Sequence, residues 1–279
     1  MPLVVTGDAR PRVVSGHRRL ACALQAGLAD VPALVILGEL TPREIFLIAL
    51  ISNWASPMED LDKAVCVRKA VEEFEFQPEE VLSQILPALG LEPHPHILEE
   101  YLQTAHLEKT LLETIHRKQL PFRGARSLNK FTEKDQKDFA VKIAARAALT
   151  AQELMKTAEW LCGFLKASRL RLEAYLRQEN LEPLLAHPVW DRCVKGEKLF
   201  QALRQRAFPA LAAKESAFEA LVKQEPAFSG NIRLEAPAFF EDRGYFLRAQ
   251  VKKPEDLNRF LALLKDRKEW LNSLFDFML

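Results

Sequence analysis

The chain has 279 residues, 48% of them hydrophobic and 28% charged, with a formal net charge of +1. That length and composition describe a folded chain of about two domains, with room for three, and the near-neutral charge excludes a global pull toward nucleic acid, so any such attraction has to be local. Cys22, Cys66, Cys162 and Cys193 lie too far apart for metal or redox spacing and read as reduced core thiols of a cytoplasmic protein. Met1–Leu20 lacks a signal-peptide pattern, and the longest apolar run, Ile45–Ile51, is too short to span a bilayer, so no membrane partner is expected.

Leu3–Thr6 and Val13-Val14 are predicted as two strands around a turn at Gly7-Asp8. Val13-Val14 then run into Ser15-Gly16, the basic triplet His17-Arg18-Arg19 and helix formers as far as Gln25, with Gly27 placed to cap the helix C-terminus. This is a strand ending in a tight turn that opens a helix. Gly16 can take a positive φ, and a helix starting at His17 aims free N–H groups at the turn. Arginines in a first turn oppose the helix dipole, a cost that a bound phosphate group would offset. The same residues also read as a surface turn with solvated arginines. Ala33–Leu37 is predicted as a buried strand. Two or three short strands do not make a sheet with a covered face, so this α/β part is incomplete by itself.

The run Ser15–Ala23 resembles the G-E-R-R-x-x-A box of ParB-type partition proteins. Ala26-Gly27-Leu28-Ala29-Asp30-Val31-Pro32 continues the likeness, with a small-residue run, an acid and Val-Pro before a strand. In that family the arginine box holds the triphosphate of a cytidine nucleotide. The resemblance therefore implies a nucleotide-phosphate site at Ser15, Gly16, His17, Arg18, Arg19 and Asn53, with CTP and magnesium as its ligands. His17 stands where the family has Glu. At the junction Ser52-Asn53-Trp54, Asn53 matches but Ser52 replaces the family's acid and no Arg follows, and Asn53 also reads as a plain helix C-cap. Gly16 stands where the related sulfiredoxins carry Cys, so their sulfur chemistry is not implied. Family members have further elements upstream of the box, so residues 1–55 read as the C-terminal half of a ParB-like domain, with CTP binding weak or missing.

Helices dominate from Thr41, which opens a capping box with Pro42 at the first helical position and Glu44 three residues on; this helix is predicted to run to about Asn53. Ser56-Pro57-Met58-Glu59 repeats the device, and Met58, Leu61, Ala64, Val65, Val71 and Phe74 make the next apolar stripe. Pro78–Gly90 and then Ile97–Thr104 have the length and turn of a helix-turn-helix, where the resembled family has its DNA-reading helix. The chemistry here is wrong for phosphate: Glu72, Glu73, Glu75, Glu79, Glu80, Glu92, Glu99 and Glu100 stand between Glu72 and Thr104 without one Lys or Arg. Beyond it the sign reverses. Arg117, Lys118, Arg123, Arg126 and Lys130 are the candidate DNA contacts, of which Ala125-Arg126 matches a family pair. The alternative is a solvated helix face balanced by Glu133, Asp135 and Asp138. Thr150–Glu153 is another capping box, with its helix predicted to end near Gly163.

Lys166–Glu225 reads as further helices broken at His187–Trp190 and Ala207–Pro209, an insertion without counterpart in the family. Ile232–Ala236 and Tyr245–Val251 alternate around Asp242-Arg243-Gly244 as a hairpin. Pro254 then opens a helix with Leu257, Phe260, Leu261, Leu264, Leu271 and Leu274 on one side. This unit resembles the family's C-terminal dimerisation module, and pairing of two chains would complete its core.

The expected class is mainly α and multi-domain, with a small α/β N-terminal part and a C-terminal ββα unit: 1–55 nucleotide/phosphate-binding, 56–163 helix-turn-helix, 164–226 helical insertion, 227–279 dimerisation. The function the resemblance implies is DNA binding in chromosome or plasmid partition, as a homodimer associated with the nucleoid, with a vestigial CTP site and a partner ATPase that the residues do not specify. The competing reading is a dimeric interaction scaffold that has lost nucleotide switching and specific DNA reading. No nucleophile elbow, phosphate loop or metal spacing is present, so catalysis is expected to be at most a weak nucleoside triphosphatase activity.

Overall fold

The computed structural model of the chain describes residues 2–7, 11–52, 58–228, 231–237, 240 and 244–278. It falls into two compact units, Met1–Phe200 and Gln201–Leu279. The class is mainly α, with one small sheet at each end of the chain. Asp8, Asn53, Ser56, Pro57, Asp242 and Arg243 lie outside the described residues, and with them two expected turns, one expected cap and one expected phosphate ligand.

In the first unit, β1 (Leu3–Thr6) is the middle strand of a three-stranded sheet ordered β2–β1–β3. β2 (Val13–Ser15) pairs antiparallel with it, and β3 (Ala33–Ile36) pairs parallel, after a crossing through helix α1 (His17–Gln25). Leu3, Val4, Thr6, Val14 and Ser15 are buried. β3 is not the buried strand that its apolar run predicts: Leu34 and Val35 are 59% and 55% exposed. The reason is position. β3 is the sheet edge, and among the described residues nothing covers it.

Thr41 opens α2 (Pro42–Ser52) by the expected box, its amide and hydroxyl each donating to Glu44 Oε2 at 2.8 Å. α3 (Asp60–Glu72) buries Ala64, Val67 and Ala70. The next helical stretch is built from α4 (Pro78–Glu80), a π-helical turn Val81–Ile85, and α5 (Leu86–Ala88). The left-handed Gly90 follows, at φ 68°. α6 (Pro95–Ala105) starts on Pro95 with His94 as its N-cap, and packs along α3. These elements share one core of Leu50, Val67, Val81, Ile85, Leu86 and Tyr101.

The remainder of the first unit is a second helical layer: α7 (Lys109–His116), a 3-10 turn Ala125–Lys130, α8 (Glu133–Phe139) with a π-helical end Ala140–Ala144, α9 (Ala151–Ser168), α10 (Leu172–Gln178) and α11 (Glu182–Ala186). α9 passes through Gly163 and stops at the left-handed Arg169. A helical glycine costs about 1 kcal/mol relative to Ala, and the buried stripe Leu154, Ala158, Leu161 and Leu165 outweighs it. Asp135 is not on a solvated face. It is 5% exposed and accepts from Thr132 Oγ1 (2.6 Å) and the Leu172 amide (3.0 Å), tying α8 to α10. Arg192, at the start of α12 (Arg192–Ala207), donates to the carbonyls of Gln119 and Ala144 at 2.8 Å each. A Cβ at Gly196 would sit 1.8 Å from the Ala148 carbonyl oxygen, so only glycine permits this approach.

In the second unit, α13 (Pro209–Lys223), the hairpin β4 (Ile232–Glu235) with β5 (Phe246–Ala249), α14 (Pro254–Asp266) and α15 (Lys268–Met278) share a core of Phe218, Phe228, Leu234, Leu271 and Leu274. The single terminal helix of the sequence reading is two helices, broken at Arg267. The break separates the stripe: Leu271 and Leu274 are buried, whereas Leu257 and Leu261 of α14 are 47% and 49% exposed. The thiols also divide. All four cysteines are free, but Cys22 and Cys193 are exposed rather than in the core.

Candidate anion-binding cleft

The turn from β2 into α1 has the geometry its residues dictate. Gly16 is the N-cap of α1 at φ 104°, with no side-chain cap and no acid in the first helical turn. A Cβ at Gly16 would lie 2.6 Å from Leu3 Cδ2, so the position needs glycine both for its backbone angle and for the close packing of β1. Ser15, directly before it, is 2% exposed, and among the described residues its hydroxyl has no hydrogen-bond partner. A buried hydroxyl without a partner costs about 1–3 kcal/mol, which marks the place where a bound group would supply one.

Ser15, Gly16, His17, Arg18 and Arg19 all line one cavity of about 820 Å³, as does Ser52 at the end of α2. Arg19 turns back in part, one guanidinium nitrogen donating to the Pro2 carbonyl. Arg18 and His17 remain exposed at the cleft. Phe46, Leu50, Met58 and Phe74 form an apolar wall, with the Phe46 and Phe74 rings stacked at 4.5 Å. The sequence reading missed the third wall: Asp62, Cys66 and Lys69 of α3 line the same cavity. Their spacing of four and three residues puts them on one helix face, a pattern that interleaves with the apolar stripe of α3 in the sequence. Burial and the nearby Asp62 carboxylate raise the Cys66 thiol above its ordinary value, while Lys69 pulls it down.

The five basic residues read as DNA contacts fall into separate places. Arg117 and Lys118 lie at the end of α7; Lys118 is left-handed at φ 55° and reaches Glu59 at 3.2 Å, while Arg117 sits 4.0 Å from Glu113. Arg123 and Arg126 line a different cavity, of about 570 Å³, with Glu92 from the turn before α6 and His96 and Glu100 of α6 itself. Lys130 is exposed at the end of the 3-10 turn. The acidic run is less uncompensated than its sequence implies, because the fold brings partners to it from elsewhere. Arg126 lies 4.0 Å from Glu99, Arg43 2.6 Å from Glu80, and His106 pairs with Glu72. Tyr101 of α6 donates to Asp60 of α3 at 2.8 Å, and burial with that carboxylate pushes its phenol above the ordinary range.

The fold and this cleft define a mainly helical protein whose N-terminal α/β part presents a cationic turn to a half-apolar cavity. No family model matches the chain, and no curated protein matches it. Among solved structures it is similar to the C-terminally truncated chromosome-partitioning protein ParB from Caulobacter crescentus complexed to the centromeric parS site. The identity is 21% over 57% of this chain and 82% of that one, with a TM-score of 0.40. It is also similar to the same protein complexed with CTP-gamma-S, at 20% identity over 50% of this chain and 76% of that one, with a TM-score of 0.23.

Proposed function

We infer that this chain is a ParB-like DNA-binding protein of the partition type with a phosphate-binding cleft at the β2–α1 turn. The observation that carries the reading is the turn itself: the unpartnered Ser15 hydroxyl, the uncapped N-terminus of α1 and the arginine pair all belong to one cavity. The hydroxyl and the first-turn amides would donate to phosphate oxygens, and Arg18 and Arg19 would neutralise their charge. The box resembled by Ser15–Ala23 makes a cytidine nucleotide the expected ligand, and a bound nucleotide would supply the phosphate chain that these donors lack. For magnesium the protein's own donor set is poorer. Among the described residues no three His, Cys, Asp or Glu side chains converge on a metal position, and Asp62 is the cleft's carboxylate. Phosphate oxygens would have to complete the shell.

The helix pair 78–88 and Pro95–Ala105 supports a helix-turn-helix, with Arg123 and Arg126 beside its second helix supplying phosphate contacts. The exposed leucines of α14 support a homodimer through residues 227–279. The four-part division at 55, 163 and 226 is our proposal for how these roles are distributed along the chain. The interaction-scaffold reading is favoured by one observation, the Glu99–Arg126 contact, which spends positive charge inside the chain.

The test is a calorimetric titration of CTP with magnesium into the full chain. Ser52 in place of an acid should hold the dissociation constant in the millimolar range, since each lost charge-assisted contact is worth about 1.5–3 kcal/mol. Arg18→Ala should abolish the heat. An Arg18→Ala chain that binds as the native one does would remove the phosphate reading.

A further inference from the structure

We propose that the first unit carries a further ligand site, apart from the phosphate cleft: a cavity of about 550 Å³ that takes a monocarboxylate with an apolar body, its carboxylate held by Arg192. The start of α3, the loop from Lys118 to Phe122 after α7, Ala148 and Leu149 before α9, and Arg192 at the start of α12 line it. Among the described residues this cavity shares only Met58 with the phosphate cleft. Its volume is that of a small-molecule site.

Arg192 is the anchor because it is held in place without a counter-ion. Its Nη2 donates to the carbonyls of Gln119, Ala144 and Ala147, at 2.8, 2.8 and 3.4 Å, and its own carbonyl accepts from the Ala148 amide at 2.8 Å. These bonds fix the guanidinium in advance, which lowers the cost of binding. All of these partners are neutral. Arg192 forms no ion pair among the described residues, and its Nε is buried without a partner. Nη1, unbonded among the described residues, is the nitrogen left for a carboxylate oxygen. The other charged groups of the lining are engaged: Lys118 reaches Glu59 at 3.2 Å, and Asp60 accepts from Tyr101 at 2.8 Å. With two acids against two cations the lining carries no net charge. A single negative charge is therefore matched by Arg192, whereas a polyanion also meets Glu59 and Asp60. Leu61, Ile115, Leu120 and Phe122 supply the apolar wall for the body of the ligand.

The experiment measures binding of phenylacetate to the full chain by ligand-observed NMR, beside acetate, which lacks the apolar body, and phenylacetamide, which lacks the charge. Phenylacetate should bind about tenfold tighter than either, and tripolyphosphate should not displace it. Arg192→Met should weaken it about tenfold, and Arg18→Ala should leave it unchanged. Melting curves check that each variant is folded. Because Arg192 also clamps α12, Ala148→Phe is the second variant: it fills the cavity, keeps the guanidinium and should abolish binding. Equal affinity for the acid and its amide in the native protein overturns the proposal whether or not a variant folds, as does an absence of binding at millimolar phenylacetate. Binding that survives in a folded Ala148→Phe chain also overturns it. Loss of binding in Arg18→Ala, or displacement by tripolyphosphate, would put the carboxylate at the β2–α1 turn and overturn the proposal as well.

Discussion

Ser15 is the residue whose environment makes the clearest demand. Its hydroxyl is buried and has no hydrogen-bond partner among the described residues, so in the absence of ligand it destabilises the chain. Ser15→Ala should raise the stability of the free protein by about 1–2 kcal/mol, because it removes an unsatisfied buried group at almost no loss of volume. The same change should weaken phosphate binding. Opposite signs in the two assays distinguish a binding hydroxyl from a packing one; a lower melting temperature for Ser15→Ala would show that the hydroxyl is already satisfied. Gly16 and Gly196 were readable to different degrees. The Ser-Gly-basic sequence announces a positive φ at Gly16, whereas nothing local announces Gly196, whose constraint is the Ala148 carbonyl 48 positions away in the chain.

A few charged clasps join neighbouring elements, and one of them makes a pH-dependent contribution to stability. Glu80 accepts from the Gln77 amide at 2.7 Å and from Arg43 at 2.6 Å, with Arg43 lying over the Phe76 ring at 4.1 Å. The backbone hydrogen bond first, and Arg43 second, lower the Glu80 carboxyl below its ordinary 4.5. A folded-state value below the unfolded one adds stability that is present above about pH 4.5 and is lost as pH falls through the lowered value. Melting temperature should therefore fall below that pH, and Glu80→Gln should flatten the fall; an unchanged acid limb would place the loss elsewhere. Helix existence and caps were legible because Thr41, Thr150 and Pro78 act over three or four residues. The location of charge was not. The acidic stretch from Glu72 to Glu100 meets Arg43, His106 and Arg126 only after folding, since those partners come from outside it. Such pairing bears on DNA. Arg123→Ala with Arg126→Ala should weaken binding to random and palindromic duplexes alike and lower the salt slope by about two phosphate contacts. Glu99→Ala with Glu100→Ala should leave sequence preference unchanged in fluorescence anisotropy. Loss of a preference in the glutamate variant alone would show that α6 reads bases.

At the scale of the molecule, the C-terminal unit leaves part of its apolar surface open. Phe246, Leu257, Leu261 and Phe275 are each about half exposed, at 53%, 47%, 49% and 47%, although the core beneath is closed by Leu271 and Leu274. A second copy meeting α14 with α14 would cover the leucines. Leu257→Glu with Leu261→Glu should give a monomer by light scattering, with the melting curve of the C-terminal unit preserved; a variant that stays dimeric would move the interface elsewhere. The alternation of Ile232–Ala236 and Tyr245–Val251 made this hairpin legible from sequence. The break at Arg267 was not, because the leucines on both sides keep helical spacing and only the packing of α15 against the hairpin turns the chain.

The bare edge of β3 has a consequence for handling the protein at high concentration. Ala33–Ile36 pairs with β1 on one side, and among the described residues its other side offers a row of backbone donors and acceptors flanked by Leu34, Val35 and Leu37, the last 85% exposed. Charges stand only at Asp30 and Glu39, outside the strand. An uncharged, apolar sheet margin of this kind is a template for another strand, so it should nucleate slow colloidal growth that is independent of the proposed C-terminal pairing. Val35→Lys, a gatekeeper charge at the middle of the margin, should raise the concentration at which turbidity sets in while leaving the molar mass by light scattering at low concentration unchanged; turbidity unaltered by the lysine would trace the growth to another surface.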